Sequence, residues 1–170
     1  MILFLSAGHS PAAPGAAWRG FVEHAEAREW VAELSRLLPG AQLVPPGELG
    51  AKIRWVNARA RPTDLAVEVH FNAATPTARG SETLHAPGSG RGALLAVEVQ
   101  AVLARHFLPN RGIKQGWYQQ NPAKGPLAFL AKTRCAALIL EPAFIYQADE
   151  IRAKRAACCL DLANTLRRFT

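Results

Sequence analysis

Three short apolar runs, Ile2-Leu3-Phe4-Leu5, Leu65-Ala66-Val67-Glu68-Val69 and Ala137-Leu138-Ile139-Leu140, read as buried strands, because strands covered on both faces are near-continuous in apolar residues. Between the first two, Val22, Ala25, Trp30, Val31, Leu34, Leu37 and Leu38 recur at helical spacing until Pro39-Gly40 stops them. Ala41 to Val44 fits a short strand, and Glu48 to Ala60, carrying Ile53, Trp55 and Val56, a second helix. Pro62-Thr63-Asp64 breaks the chain before the second run. A strand over Ser81 to His85, a turn at Pro87-Gly88-Ser89-Gly90 and a helix from about Gly92 to His106 follow. The Gly-, Asn- and Gln-rich stretch from Pro109 to Lys124, with Trp117 and Tyr118 among polar residues, reads as a long surface loop. Leu127 to Ala131 and Ala136 to Leu140 read as strands, and Asp149 to Arg168 as a closing amphipathic helix. The order βαβαββαββα predicts a single α/β domain with a mostly parallel or mixed sheet flanked by helices.

Each of the three runs leads to a residue able to bind a metal or move a proton: His9, His70 and Glu141. Sheets of this kind gather ligands outside the carboxyl ends of their strands. Glu23, at the start of the first helix, completes a set of two imidazoles and a carboxylate, the three protein ligands of a catalytic zinc site. Glu141 then stands as the proton-transfer carboxylate outside the ligand set. Glu26, one turn beyond Glu23, competes for the same role, and Glu23 is favoured by its place nearest the sheet edge. His24, His85 and His106 lack a strand-end position and read as structural. Glu68 shares a strand face with His70, so it either fixes the imidazole's tautomer or pairs with a base such as Arg59. Arg59, Asn72, Arg79 and Glu82 are candidates for substrate contact or for shaping the cleft.

With 170 residues, 49% hydrophobic and 19% charged, the chain has the composition of an ordinary globular domain. Cys135, Cys158 and Cys159 are an odd number without CxxC spacing, so they read as packed thiols in a reducing compartment. The amino terminus lacks the layout of a secretory signal, which predicts a protein that is cytoplasmic as made. No stretch approaches the roughly 20 apolar residues of a membrane span. The net charge of +7 favours anionic partners, but the basic residues form no dense tract and so predict no dedicated nucleic-acid groove.

The segments Ser6-Ala7-Gly8-His9, Gly20-Phe21-Val22-Glu23, Asn57-Ala58-Arg59, Asp64 to Ala73, Arg79-Gly80-Ser81-Glu82-Thr83, Arg111-Gly112-Ile113-Lys114 and Leu138 to Phe144, taken in order, resemble the zinc-dependent N-acetylmuramoyl-L-alanine amidases of the Amidase_3 family. The resemblance implies a central six-stranded sheet and one Zn2+ ion on His9, Glu23 and His70, with Glu141 as acid/base. It implies cleavage of the amide between N-acetylmuramic acid and L-alanine, with peptidoglycan as the partner. Two departures, Glu68-Val69-His70-Phe71-Asn72 in place of Ser-Ile-His-Ala-Asn and Pro142-Ala143-Phe144 in place of Gly-Phe, are similar to compact phage or prophage lysins of the family. The expectation is then an endolysin-like monomer, without a separate wall-binding domain, that reaches the cell wall after release. A zinc amidohydrolase or carboxypeptidase acting on a smaller amide, and a non-catalytic basic wall-binding domain, are the alternatives.

Overall fold

A computed structural model describes residues 1–118 and 122–169. Its main sheet has six strands in the order β4-β1-β5-β8-β6-β7. These are β1 (Leu3–Ala7), β4 (Gln42–Leu43), β5 (Leu65–Val69), β6 (Ser81–His85), β7 (Asn110–Gln115) and β8 (Ala136–Glu141). β4, β1, β5 and β8 run parallel, β6 pairs antiparallel with β8, and β7 runs parallel to β6. The carboxyl ends of β1, β5 and β8 therefore share one edge with the starts of β6 and β7. The expected α/β fold with a mixed, mostly parallel, six-stranded sheet flanked by helices is the observed one.

Period-two alternation divides the core. Leu3, Leu5, Leu65, Val67, Val69, Leu138 and Leu140 face one layer, which is completed by α1 (Glu23–Leu37), α3 (Gly90–His106) and α5 (Ala148–Arg167). Phe4, Ala66, Ala137 and Ile139 face the other, against α2 (Leu49–Asn57) and α4 (Ala128–Lys132). The helices begin where their sequence favours it. Glu23 and Glu26 lie in the first turn of α1, and the Ser89 hydroxyl caps α3 by accepting from Gly92 N–H at 3.0 Å.

Two expectations are corrected. Leu127 to Ala131 is not a strand: Ala128–Lys132 forms α4, because this short run holds good helix formers and no β-branched residue. The stretch from Pro109 to Lys124 is not one loop, since Asn110–Gln115 is β7. As the edge of the sheet, β7 buries little and carries no apolar signature. Gln119, Gln120 and Asn121, also assigned to that loop, lie outside the described residues. Within the segment after β1, β2 (Ala17–Trp18) pairs antiparallel with β3 (Phe21–Val22).

Cys135, Cys158 and Cys159 are buried and unpaired, and burial pushes the Cys159 thiol up to about 12. No described helix is long and apolar enough to cross a membrane. Trp30 is fully buried at the centre of the larger layer, edge-on to Phe71 at 5.7 Å and tilted against Phe107 at 6.1 Å. Trp30→Ala should cost about 3–5 kcal/mol, read as a lower urea midpoint with the slope retained.

Candidate metal centre and active site

The C-terminal edge of the sheet opens into a cavity of about 480 Å3 on the side of α2 and α4. His9, Glu23, His70 and Glu141 all line it. His9 follows β1 in a left-handed conformation, φ 60, which is unusual for a residue with a Cβ and is held here by its surroundings. Its Nε2 lies 2.9 Å from Glu23 Oε1, and His70 Nδ1 lies 3.0 Å from the same oxygen. The Phe71 amide donates to Oε1 at 3.2 Å and the Ala16 amide to Oε2 at 3.0 Å, so both carboxylate oxygens are fixed. Burial would raise the Glu23 carboxyl, yet the hydrogen bonds from His70 and His9 outweigh it and hold it at about 2.

Two glycines let the rings close in. A Cβ on Gly8 would come within 2.5 Å of the His70 ring. One on Gly15, at φ +81, would come within 2.6 Å of Glu23 Oε2 and of His9 Cδ2.

The residues present fit a divalent cation. His9, Glu23 and His70 offer one ligand atom each within 4.8 Å of one another. Ligands of a tetrahedral zinc stand about 3.3 Å apart, from bond lengths near 2.0 Å. The observed spacings of 2.9 and 3.0 Å therefore need to open by only a few tenths of an ångström. The charge also fits, since His70 lies between two carboxylates, Glu23 and Glu68. Burial would lower its pKa, but those hydrogen bonds raise it to about 10, so a proton sits where two acids call for a cation.

Glu68 Oε2 lies 3.1 Å from His70 Nε2, the nitrogen facing away from Glu23. Its Oε1 accepts from Lys52 Nζ at 2.6 Å and from the Ser6 hydroxyl at 2.9 Å. Lys52, on α2, is only 3% exposed and also donates to Ala7 O at 2.8 Å and His9 O at 3.2 Å. One buried ammonium thus ties down the strand end that carries His9 and the carboxylate that backs His70. Sequence reasoning missed Lys52. The available signal was a lysine four residues before Val56, on the helix face that turns inward.

Glu141 ends β8 beside this array, and its Oε2 is enclosed without a hydrogen-bond partner. Burial raises its carboxyl to about 8, with Glu23, Glu82 and Glu68 adding to the rise and His70 opposing it. Asn72 also lines the cavity, and its side chain is a further partner of the Glu82 carboxylate, after Lys114 and Arg111.

The remaining candidates do not line the cavity. Arg59 stacks its guanidinium 4.1 Å over Trp55 and does not line the cavity, so Glu68 takes Lys52, not Arg59, as its cation. Arg79 is exposed and donates to Pro76 O and Ala78 O of its own loop. Glu26 accepts from Arg152 Nε at 2.7 Å and is absent from the cavity lining. Glu82 is buried at the start of β6, held by Arg111 and Lys114. His24 Nδ1 donates to Gly8 O at 2.7 Å, and Gly8 lies against the His70 ring.

The chain matches the family model Amidase_3, described as N-acetylmuramoyl-L-alanine amidase, over residues 3–157. Nothing among curated proteins matches it. Among solved structures it is similar to the catalytic domain of the CD27L endolysin targeting Clostridia difficile, at 20% identity and TM-score 0.78, covering 99% of this chain and 97% of that one. It is similar to the amidase AmiC2 of Nostoc punctiforme at 16% identity and TM-score 0.81, covering 99% and 96%. A putative amidase from Neisseria meningitidis shares 22% identity at TM-score 0.76, covering 98% and 94%. At these identities the likeness is one of fold.

Because its folded pKa of about 8 lies above the ordinary 4.5, Glu141 supports the metal-free fold fully below pH 4.5, and that support is lost as pH rises through about 8. Glu141→Gln removes the penalty. In chelator, its melting temperature should gain on the parent's progressively between pH 5 and pH 9, measured by calorimetry.

Proposed function

We infer that this chain, which belongs to the N-acetylmuramoyl-L-alanine amidase family Amidase_3, hydrolyses the amide joining N-acetylmuramic acid to the L-alanine of the peptidoglycan stem peptide. His9 Nε2, Glu23 and His70 Nδ1 would hold one Zn2+ ion, and Glu141 would carry the proton. The observation behind this reading is the enclosed, unpartnered Glu141 Oε2 lining the same cavity as three converging ligand groups.

Bound there, zinc supplies polarisation of the amide carbonyl and acidification of an attacking water. The protein's own groups do the rest. Glu141, whose carboxyl burial raises to about 8, would accept the water's proton in its ionised form and return it to the departing nitrogen of L-alanine. His70 keeps Nδ1 free for the ion when its Nε2 proton is donated to Glu68, and Lys52 balances the charge of Glu68. The wall of Leu49, Leu127, Phe129 and Ile139 limits bulk water around the reacting groups.

Residues 1–170 act as one catalytic unit in this reading. The net charge of +7 draws it to an anionic wall polymer, and its role is lytic, as in an endolysin.

Mass spectrometry of digested sacculi should show new free amino groups on L-alanine and intact glycan strands, whereas a silent digest by zinc-loaded protein would overturn the reading. His9→Ala and His70→Ala should lose zinc and turnover together, by elemental analysis and assay. Glu141→Gln should retain zinc and lose about a hundred- to ten-thousandfold in turnover. Zinc binding at pH 7 should release about one proton from the protonated His70, seen by calorimetry in buffers of different ionisation enthalpy, and affinity should climb with pH.

A further inference from the structure

The Arg111-Gly112-Ile113-Lys114 segment stands beside the catalytic edge and takes no part in the chemistry above. Residues three apart on a regular strand point to opposite faces. Here the β6–β7 register shifts between Ser81 and Thr83, whose partners are Asn110 and Ile113. The extra residue is accommodated at Gly112, with φ +78. The bulge brings Arg111 and Lys114 to the same side, and both reach one carboxylate oxygen. Arg111 Nε lies 2.8 Å and Lys114 Nζ 2.5 Å from Glu82 Oε2.

Two cations thus share one anion. Glu82 is 3% exposed, while the side chains of Arg111 and Lys114 are 37% and 33% exposed. Burial would raise the Glu82 carboxyl, yet Lys114 and Arg111 hold it low, so it stays ionised and the cluster keeps one net positive charge. Among the described residues, neither terminal guanidinium nitrogen of Arg111 makes a hydrogen bond. A buried acid needs one cation for neutrality; the second, half-exposed, is surplus to the fold.

The cluster adjoins the reacting group. Glu82 and Glu141 are paired across β6 and β8, and the Arg111 guanidinium lies 5.1 Å from the ring of Phe144, which bridges to Asn72 in the cavity wall. Neighbouring strands are about 4.8 Å apart, which puts β7 roughly 10 Å from β8. An extended peptide advances about 3.5 Å per residue, so that distance spans the first two or three residues beyond a bond cleaved at Glu141.

We propose that Arg111 and Lys114, braced on Glu82, form an anion subsite that binds a carboxylate of the stem peptide just beyond L-alanine. The proposal rests on the amidase reading and adds the chemical class of the group recognised next to the cleaved amide. The β-bulge is its structural signature, because without it the two donors could not converge.

The test uses two synthetic N-acetylmuramoyl-L-alanyl peptides that differ only in a free carboxylate or a carboxamide on the residue after L-alanine. The parent should favour the carboxylate by about tenfold in kcat/KM, the worth of one charge-assisted contact. Removing both cations alone would strand Glu82, so Arg111→Gln and Lys114→Gln are combined with Glu82→Gln, and retained folding is checked by melting. In that variant the preference should fall to about one, while Lys114→Arg should keep it. A parent without preference, or a preference unmoved in the folded triple variant, overturns the subsite. Cleavage of neither peptide together with undigested sacculi overturns the amidase reading itself.

Discussion

Everything at the catalytic edge depends on a chain of alternating nitrogen bases and carboxylates: Lys52 on Glu68, Glu68 on His70, His70 on Glu23, and Glu23 on His9. Each carboxylate is held between two nitrogen bases. Breaking a buried pair leaves an uncompensated charge and costs about 3–5 kcal/mol, more than most single contacts contribute. The chain draws its members from α2, β5, α1 and the loop after β1, so it also locks those elements in register. Its cost is offset by the ordinary core beneath, where Trp30, Phe71 and Phe107 pack ring against ring.

Glu141 is the exception within that edge. Its neighbours satisfy one another, whereas its Oε2 has no partner and its carboxyl is raised by burial. A group left unsatisfied in this way weakens the resting fold and is primed to exchange a proton. The same opposition of stability and chemistry appears in His9, whose φ of 60 is unfavourable for an imidazole-bearing residue but aims the ring at Glu23.

Much of this was legible in the chain because strand-end positions are dictated by period-two burial. The parity that hides Ala66 also puts Glu68 and His70 on its face, and the apolar run of β8 delivers Glu141 to the same edge. What escaped were elements whose signals are weak or shared. β7 is polar because it is an edge, α4 is too short for periodicity to separate helix from strand, and Lys52 reads as a surface lysine until a buried carboxylate faces it. Arg59 and Arg79 have local partners, a stack on Trp55 and a loop's own carbonyls, which the motifs alone do not reveal.

The turn in strand direction between β8 and β6 makes the rim composite. On one flank the backbone arrives from the core and hands over its reactive groups as it leaves the sheet; on the other it enters from solvent. Segments leading into β6 and β7 can therefore diverge in length and composition without disturbing the groups that follow β1, β5 and β8. The reacting groups thus keep to one half of the rim, while the other half can vary what is presented to them.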